Sequence, residues 1–158
     1  MRILLALSVL SAAAALPAAA ATEPVVPVFI QKVAVQKAGP LAYAPTRLPF
    51  RYRYTGYTWR AASHQLSFRF DDRRFPLNGK HRVWFTSERF AGTLASCADG
   101  KQKTLQLDGN KVYWDGGVAW RCVRGPDGKL VKLLASGPNL PDVALGIVVA
   151  SGRRISVR

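Results

Sequence analysis

Aromatic and basic residues alternate along the segment that begins at residue 50. Its aromatic positions fall on one face of an extended chain and its arginines on the other: Phe50, Tyr52 and Tyr54 against Arg51 and Arg53. A period of two predicts a β-strand with one buried face and one solvated face.

Two further segments continue this alternation. Tyr57 and Trp59 follow Gly56 with the same period, and Val83 and Phe85 belong to another short strand. The segment between them has an apolar face, formed by Leu66, Phe68 and Phe70, and a polar face, formed by Ser67 and Arg69. We therefore expect neighbouring strands that share an aromatic, apolar face.

The second half of the chain is typical of a meander of short strands. Asp108-Gly109-Asn110 favours a tight hairpin, because these residue types tolerate positive φ. Asp115-Gly116-Gly117 and Gly125-Pro126-Asp127-Gly128 supply further turns. Strands separated by Gly and Asp turns predict an antiparallel sheet.

Two segments flank this sheet. Residues 22–42 form an arm that prolines interrupt, and within it Val28 to Gln36 alternates loosely and predicts one strand. Near the C-terminus, Asn139 is a candidate helix cap, with Pro141 and Asp142 in the first turn. Positions 143, 147 and 150 follow at helical spacing, whereas Gly146 and the β-branched positions 148 and 149 favour a strand. Residues 141–152 are therefore a helix, with a strand as the alternative.

Together these elements predict an α+β fold. We expect an antiparallel sheet of about six to seven strands packed on one C-terminal helix, in a single domain over residues 43–158. An all-β sandwich or barrel is the alternative.

Residues 1–21 have the three parts of a secretory signal peptide. Arg2 precedes an apolar run from Ile3 to Leu16, and Pro17 and four alanines follow it. We expect cleavage near Ala21 and a secreted, periplasmic or cell-envelope-associated product. The mature chain is expected to be monomeric, with no transmembrane segment.

The chain contains two cysteines, Cys97 and Cys122. In an oxidising compartment such a pair predicts a disulfide. In the chain-entropy model, a loop of this length is stabilised by about 3–4 kcal/mol. Free thiols with a redox or metal role are the alternative, but they lack a CxxC spacing.

The order of these features resembles a known bacterial domain. The resemblance covers residues 43–152 and rests on Tyr43-Ala44-Pro45-Thr46-Arg47-Leu48-Pro49, Leu66–Phe70, Asp108-Gly109-Asn110, Trp120, Gly128–Leu133 and the segment from Leu140 to Ser151. It is similar to the extracytoplasmic domain of uncharacterised function found in bacterial anti-sigma factors and envelope lipoproteins. The resemblance implies a sheet packed on a helix, a ligand-sensing or protein-contact role, and no catalytic residues. The Cys97/Cys122 pair departs from that pattern, so a sigma-factor partner is not implied.

The chain is strongly basic, with a formal net charge of +14. Removal of residues 1–21 takes away one charge, that of Arg2, and leaves +13 on 137 of the 158 residues. Such a field attracts anionic polymers and membrane surfaces. The alternative is that the charge serves solubility alone.

Residues for catalysis are few. The histidines are His64 and His81, and neither lies at a metal-ligand spacing. Asp71 and Asp72 could act as acid and base on a sugar, but neighbours on a strand point to opposite sides. We therefore predict no catalytic residue, no metal site and no cofactor.

A binding surface is the stronger hypothesis. Arginine side chains beside aromatic rings could hold phosphates or carboxylates, and the candidates are Arg51, Arg53, Arg60, Arg69, Tyr57 and Trp59. The partner would be an anionic envelope polymer, a membrane surface or an envelope protein, without specific recognition of nucleic acid. The same pattern also fits a half-buried strand in a structural or protein-contact domain with no small ligand.

Overall fold

A seven-stranded antiparallel sheet forms the centre of the computed structural model, which describes residues 23–75, 79–98, 100 and 102–156. The predicted signal peptide lies outside the described residues. The elements in chain order are α1 (Val28–Ala38), β1 (Tyr43–Pro45), β2 (Tyr52–Arg60), β3 (Gln65–Asp72), β4 (Arg82–Phe90), β5 (Lys103–Leu107), β6 (Asn110–Asp115), β7 (Val118–Arg124), β8 (Leu130–Ser136), α2 (Asp142–Ala150) and β9 (Gly152–Arg154). The α+β prediction is confirmed.

The strand order in the large sheet is β2-β3-β4-β8-β7-β6-β5. β4 therefore pairs with β8, which begins 40 residues after β4 ends, while the other pairs are sequential. β1 and β9 form a separate two-stranded antiparallel sheet. This small sheet joins the segment before the large sheet to the segment after α2, since Tyr43 lies opposite Arg154.

The hairpins are formed by the turns that the sequence predicts. Asp108 and Gly109 have φ values of 51° and 72° between the paired residues Leu107 and Asn110. Two consecutive positive φ values match the right-handed twist of the flanking strands, which explains the Asp-Gly pair.

A β-bulge interrupts the pairing of β2 with β3. Tyr54 lies opposite Phe70 and Gly56 opposite Arg69, so Thr55 is the extra residue. A bulge shifts the alternation by one position. Tyr52 and Tyr54 before it therefore share a face with the aromatic positions 57 and 59 after it.

One face of the sheet, here the inner face, carries the core. Phe68, Phe70 and Phe85 are completely buried on it. Helix α2 packs on β5 to β8, and α1 contacts β3. Residues of the N-terminal segment, including Val26 and Leu41, belong to the same hydrophobic cluster.

The predicted strand over Val28 to Gln36 is wrong, because α1 is a helix. Ile30, Ala34 and Ala38 recur every four residues and form the side that packs on the core. The β-branched valines between them gave the segment its strand-like alternation. Burial of the four-residue repeat overrides that local preference.

Helix α2 confirms the prediction of a helix over a strand near the C-terminus. The proposed cap at Asn139 is wrong: Pro141 is the N-cap residue, and the Asn139 side-chain amide donates to the Lys80 carbonyl at 2.8 Å. In the part of the chain that the structure describes, no helix is long and apolar enough to cross a membrane.

The C-terminal end of α2 is held by a buried arginine. Arg121 on β7 donates from Nε to the Val149 carbonyl at 3.1 Å and from Nη2 to the Gly152 carbonyl at 2.7 Å. It also donates to Asn110 Oδ1. Burial lowers the pKa of the Arg121 guanidinium, and nearby Arg153 lowers it further. A cation at this position also complements the negative end of the helix dipole.

The predicted disulfide joins Cys97 to Cys122, with a Cα–Cα distance of 6.1 Å. It fastens the loop after β4 to strand β7. The Trp120 indole N–H donates to the Cys97 carbonyl at 2.8 Å, which adds a second contact between the loop and the sheet.

Candidate ligand-binding surface

The opposite side of the large sheet, here the outer face, carries polar and basic side chains. Its residues alternate with the inner-face phenylalanines along β3 and β4, and the strand register arranges them in rows across the sheet. Four rows cross strands β2, β3 and β4.

The first row contains Arg53, Asp71 and Arg82. Asp71 accepts hydrogen bonds from Arg82 Nε at 2.7 Å and from Thr55 Oγ1 at 2.8 Å. Arg69 Nε lies 3.7 Å from the same carboxylate. Asp71 therefore offsets part of the positive charge at this end of the face.

The second row contains Gly56, Arg69 and Trp84. Arg69 donates to the Thr55 hydroxyl and to the Thr55 carbonyl, both at 3.1 Å, and so fixes the bulge. A β-carbon at Gly56 would lie 3.3 Å from Arg69 Nη2. Glycine at this position leaves room for the guanidinium. Trp84, opposite Arg69 on β4, is half-buried.

The third row is a line of hydroxyl groups from Thr58, Ser67 and Thr86. The Ser67 and Thr86 oxygens are 2.9 Å apart. Across β8, β7 and β6 the same row becomes apolar and aromatic, with Leu134, Trp120 and Tyr113.

The fourth row contains Arg60, Gln65, Glu88 and Lys132. Gln65 Nε2 donates to a Glu88 carboxylate oxygen at 2.9 Å. Lys132 Nζ lies 5.2 Å from the centroid of the Trp120 ring, within the range of a cation–π contact. Neither Arg60 nor Lys132 forms a salt bridge with any residue that the structure describes.

The structure places three of the predicted binding residues on one face of the sheet. Arg53, Arg60 and Arg69 share the outer face. Arg51 does not join them, because it precedes β2 and has a φ of 80°.

The aromatic members of the predicted site lie elsewhere. Tyr57 and Trp59 lie on the inner face and pack against the core, because the bulge keeps them in phase with Tyr54. Phe50 was expected on the same strand face, and this is wrong as well: it lies before β2 and is 84% exposed. The turn that places it there is closed by the Tyr52 amide and the Pro49 carbonyl at 3.2 Å.

Sequence reasoning missed Arg82, Trp84 and Lys132 on the outer face. A signal existed for the first two, since they alternate with Val83 and Phe85, which were assigned to a short strand. No local signal places Lys132 beside them, because the pairing of β4 with β8 connects distant parts of the chain.

The residues weighed for catalysis are separated. Asp71 lies on the outer face and Asp72 on the inner face, where Arg74 donates to it from Nη2 at 2.7 Å and from its backbone amide at 2.9 Å. These hydrogen bonds lower the pKa of Asp72 to about 2. The His81 ring stacks on Phe75 with centroids 4.3 Å apart. Among the described residues, no group of three or more His, Cys, Asp or Glu side chains is placed to hold a metal ion.

Comparisons with known proteins identify no function for this surface. No protein-family model, no curated protein and no solved structure matches the chain. Its function therefore has to be inferred from the arrangement of its own side chains.

Proposed function

We propose that the protein is an exported, non-enzymatic binding module of the bacterial cell envelope, whose outer face binds an anionic polymer. The observation that carries this proposal is the sharing of one solvent-facing side of the sheet by Arg53, Arg60, Arg69 and Lys132. The acidic residues on that face of β2, β3 and β4, all of which are described, are Asp71 and Glu88.

The spacing of the cations fits an extended ligand. Arg60 and Lys132 lie in one row, three strands apart, so their backbones are about 14 Å apart at the usual strand spacing. A single phosphate or carboxylate cannot bridge that distance, whereas successive charged groups of a polymer can. Arginine adds fork-shaped donors that match carboxylate and phosphate oxygens.

Neutral groups between the cations supply further contacts. The hydroxyls of Thr58, Ser67 and Thr86 can donate to or accept from the uncharged hydroxyl groups of a polysaccharide. The half-buried ring of Trp84 offers an apolar surface beside them. This combination favours an acidic polysaccharide over a purely ionic polymer.

Export is supported by two independent features. Residues 1–21 have the pattern of a signal peptide. The Cys97–Cys122 disulfide is of the kind that forms and persists in oxidising compartments. The resemblance to the extracytoplasmic domain of anti-sigma factors and lipoproteins stays a prediction and is compatible with this proposal.

Binding of the oxidised chain from residue 22 onward to alginate, an acidic polysaccharide, tests the proposal at physiological salt. We expect Arg60→Gln with Lys132→Gln to weaken binding at least tenfold. A matched double variant on exposed positions of α1, Lys32→Gln with Lys37→Gln, removes the same charge and should weaken binding less than threefold.

Equal losses in the two double variants would show that only the net charge attracts the polymer, and the proposed site would be rejected. The charge would then serve solubility, and the domain would be assigned to protein contacts instead.

A further inference from the structure

Two exposed phenylalanines lie at the end of the sheet where β2 begins and β3 ends. Phe50 is 84% exposed and Phe75 is 41% exposed. The segments that carry them are joined, because the Arg73 amide donates to the Arg51 carbonyl at 3.1 Å. Phe50 precedes this hydrogen bond by one residue and Phe75 follows it by two. Residues 50–51 and 73–75 are called the sheet tip below.

The backbone holds Phe50 away from the core. Arg51 has a φ of 80°, a left-handed value that is unfavourable for a residue with a β-carbon. Tyr52, directly after it, is buried and paired with Asp72. Phe50 is thus almost fully exposed, next to the strained backbone of Arg51 and close to the buried start of β2. An exposed apolar side chain at a strained position indicates a surface that contacts another molecule.

The charge of the sheet tip is positive. Arg51 lies 5.3 Å from the centroid of the Phe50 ring, and Arg74 lies 5.4 Å from that of Phe75. Arg73 is exposed between them. Asp72, which adjoins Arg73, is 2% exposed and is engaged by Arg74, so it presents little negative charge to a ligand.

Apolar surface continues beside the tip. An open cavity of about 640 Å³ is lined on its apolar side by Leu48, Phe50 and Ile147. The charged residues along the same cavity are Arg47, Arg53, Arg73 and one carboxylate, Glu23, so its net charge is positive. The region therefore joins the protruding ring of Phe50, the partly exposed ring of Phe75 that stacks on His81, an apolar floor and guanidinium groups.

We propose that the sheet tip docks on a membrane surface that contains anionic lipids. Aromatic side chains enter the boundary between headgroups and acyl chains, and arginines bind the lipid phosphates while their stems contact the apolar layer. Charge complementarity favours this occupant. Phe50 protrudes instead of lining a closed pocket, which suits a deformable lipid layer better than a small soluble anion. This site adjoins the first of the polymer-binding rows, because Arg53 belongs to that row and also lines the cavity. Membrane docking goes beyond the function proposed for the rows.

Co-sedimentation of the oxidised chain from residue 22 onward with vesicles tests the proposal. The vesicles are phosphatidylcholine alone, or phosphatidylcholine with about one third phosphatidylglycerol, at physiological salt. We expect binding to the mixed vesicles, and at least tenfold weaker binding to the neutral ones. Phe50→Ser with Phe75→Ser should weaken binding to mixed vesicles at least tenfold, and Phe50→Trp should retain it.

The matched control is Leu94→Ser. Leu94 is 50% exposed and lies after β4, at the opposite end of the sheet, so its replacement should change vesicle binding less than twofold. Thermal unfolding of each variant verifies that the fold is intact.

Unchanged vesicle binding by the double phenylalanine variant would overturn the proposal, as would equal binding to neutral vesicles. Self-association at micromolar concentration that Phe50→Ser abolishes, without vesicle binding, would assign the tip to a second copy of the chain and would also overturn it.

Discussion

The two faces of the large sheet are made by the same strands and differ in almost every respect. On the inner face, Phe68, Phe70 and Phe85 are fully buried, and the two helices pack on the same face. On the outer face, Arg69 and Trp84 alternate with them and remain partly open to water. Substitutions on the two faces can therefore be made separately, since neighbouring residues on one strand belong to different environments.

Several charged residues differ in the same way, with the exception of Asp71, which is buried and paired with Arg82 on the outer face. Arg121 and Asp72, on the inner face, are buried, and their hydrogen bonds go to backbone carbonyls, to Asn110 and to Arg74. Arg60 and Lys132, on the outer face, form no salt bridge with a described residue. A buried charge with its partners in place stabilises the fold, whereas an exposed charge without one can bind a ligand.

Two neighbouring residues of β4 provide the test with the largest expected difference between the two faces. We expect Phe85→Ala to lower the free energy of unfolding by about 3–5 kcal/mol, because it leaves a cavity in the inner face. Trp84→Ala should lower it by about 1 kcal/mol, since surface substitutions have small effects. Urea unfolding measures both. Equal losses would contradict the assignment of faces.

The disulfide gives the next largest expected effect. Replacement of both cysteines by serine should lower the free energy of unfolding by about 3 kcal/mol, because it releases a loop of 25 residues in the unfolded chain. Urea unfolding of the variant and of the reduced natural chain should agree. A natural chain whose stability is insensitive to reductant would contradict this expectation.

Buried and exposed arginines of strand β7 provide a matched pair. Arg121→Met removes the donors to the Val149 carbonyl in the last turn of α2 and to the Gly152 carbonyl after it, and it should cost about 2–3 kcal/mol of unfolding free energy. Arg124 is exposed and donates to the Gly128 carbonyl at 2.8 Å, so Arg124→Met should cost less than about 0.5 kcal/mol. Similar effects in chemical denaturation would show that Arg121 is not needed to cap α2.

The smallest expected effect concerns pH. The pKa of Asp72 is about 2 in the folded chain because Arg74 donates to its carboxylate, against about 3.9 in an unfolded chain. The folded state therefore gains stability from this carboxylate above pH 4 and loses it as the pH falls from about 4 to about 2.

Arg74→Gln should raise the pKa of Asp72, which carboxyl NMR titration measures directly. The stability difference between the natural chain and this variant should shrink over the same acidic range. If the pKa of Asp72 does not change on replacement of Arg74, the ion pair with Arg74 is not what lowers it.

Local sequence patterns predicted those structural features that depend only on residues close together in the chain. The alternation of Leu66, Phe68 and Phe70 identified the buried face of β3. Asp108-Gly109 identified a hairpin, because positive φ is a property of single residues. These features need no information about the rest of the chain.

Features that depend on distant contacts were not predictable in this way. The bulge at Thr55 is fixed by Arg69 on the next strand, and it decides that Tyr57 and Trp59 face the core. The helical state of α1 depends on burial of Ala34 and Ala38 against the rest of the domain. The candidate binding surface was therefore only partly predictable: its arginines on β2 and β3 were found, but Lys132 was not.

The bulge in β2 also bears on how an open sheet avoids joining with other copies of itself. β2 is an edge strand, and an uninterrupted edge offers unpaired backbone groups to any passing chain. The extra residue Thr55, fixed by Arg69, breaks the regular repeat of those groups, and Arg53 and Arg60 place positive charge on either side of it. Two identical edges would meet with mismatched hydrogen bonds and like charges, which disfavours edge-to-edge aggregation.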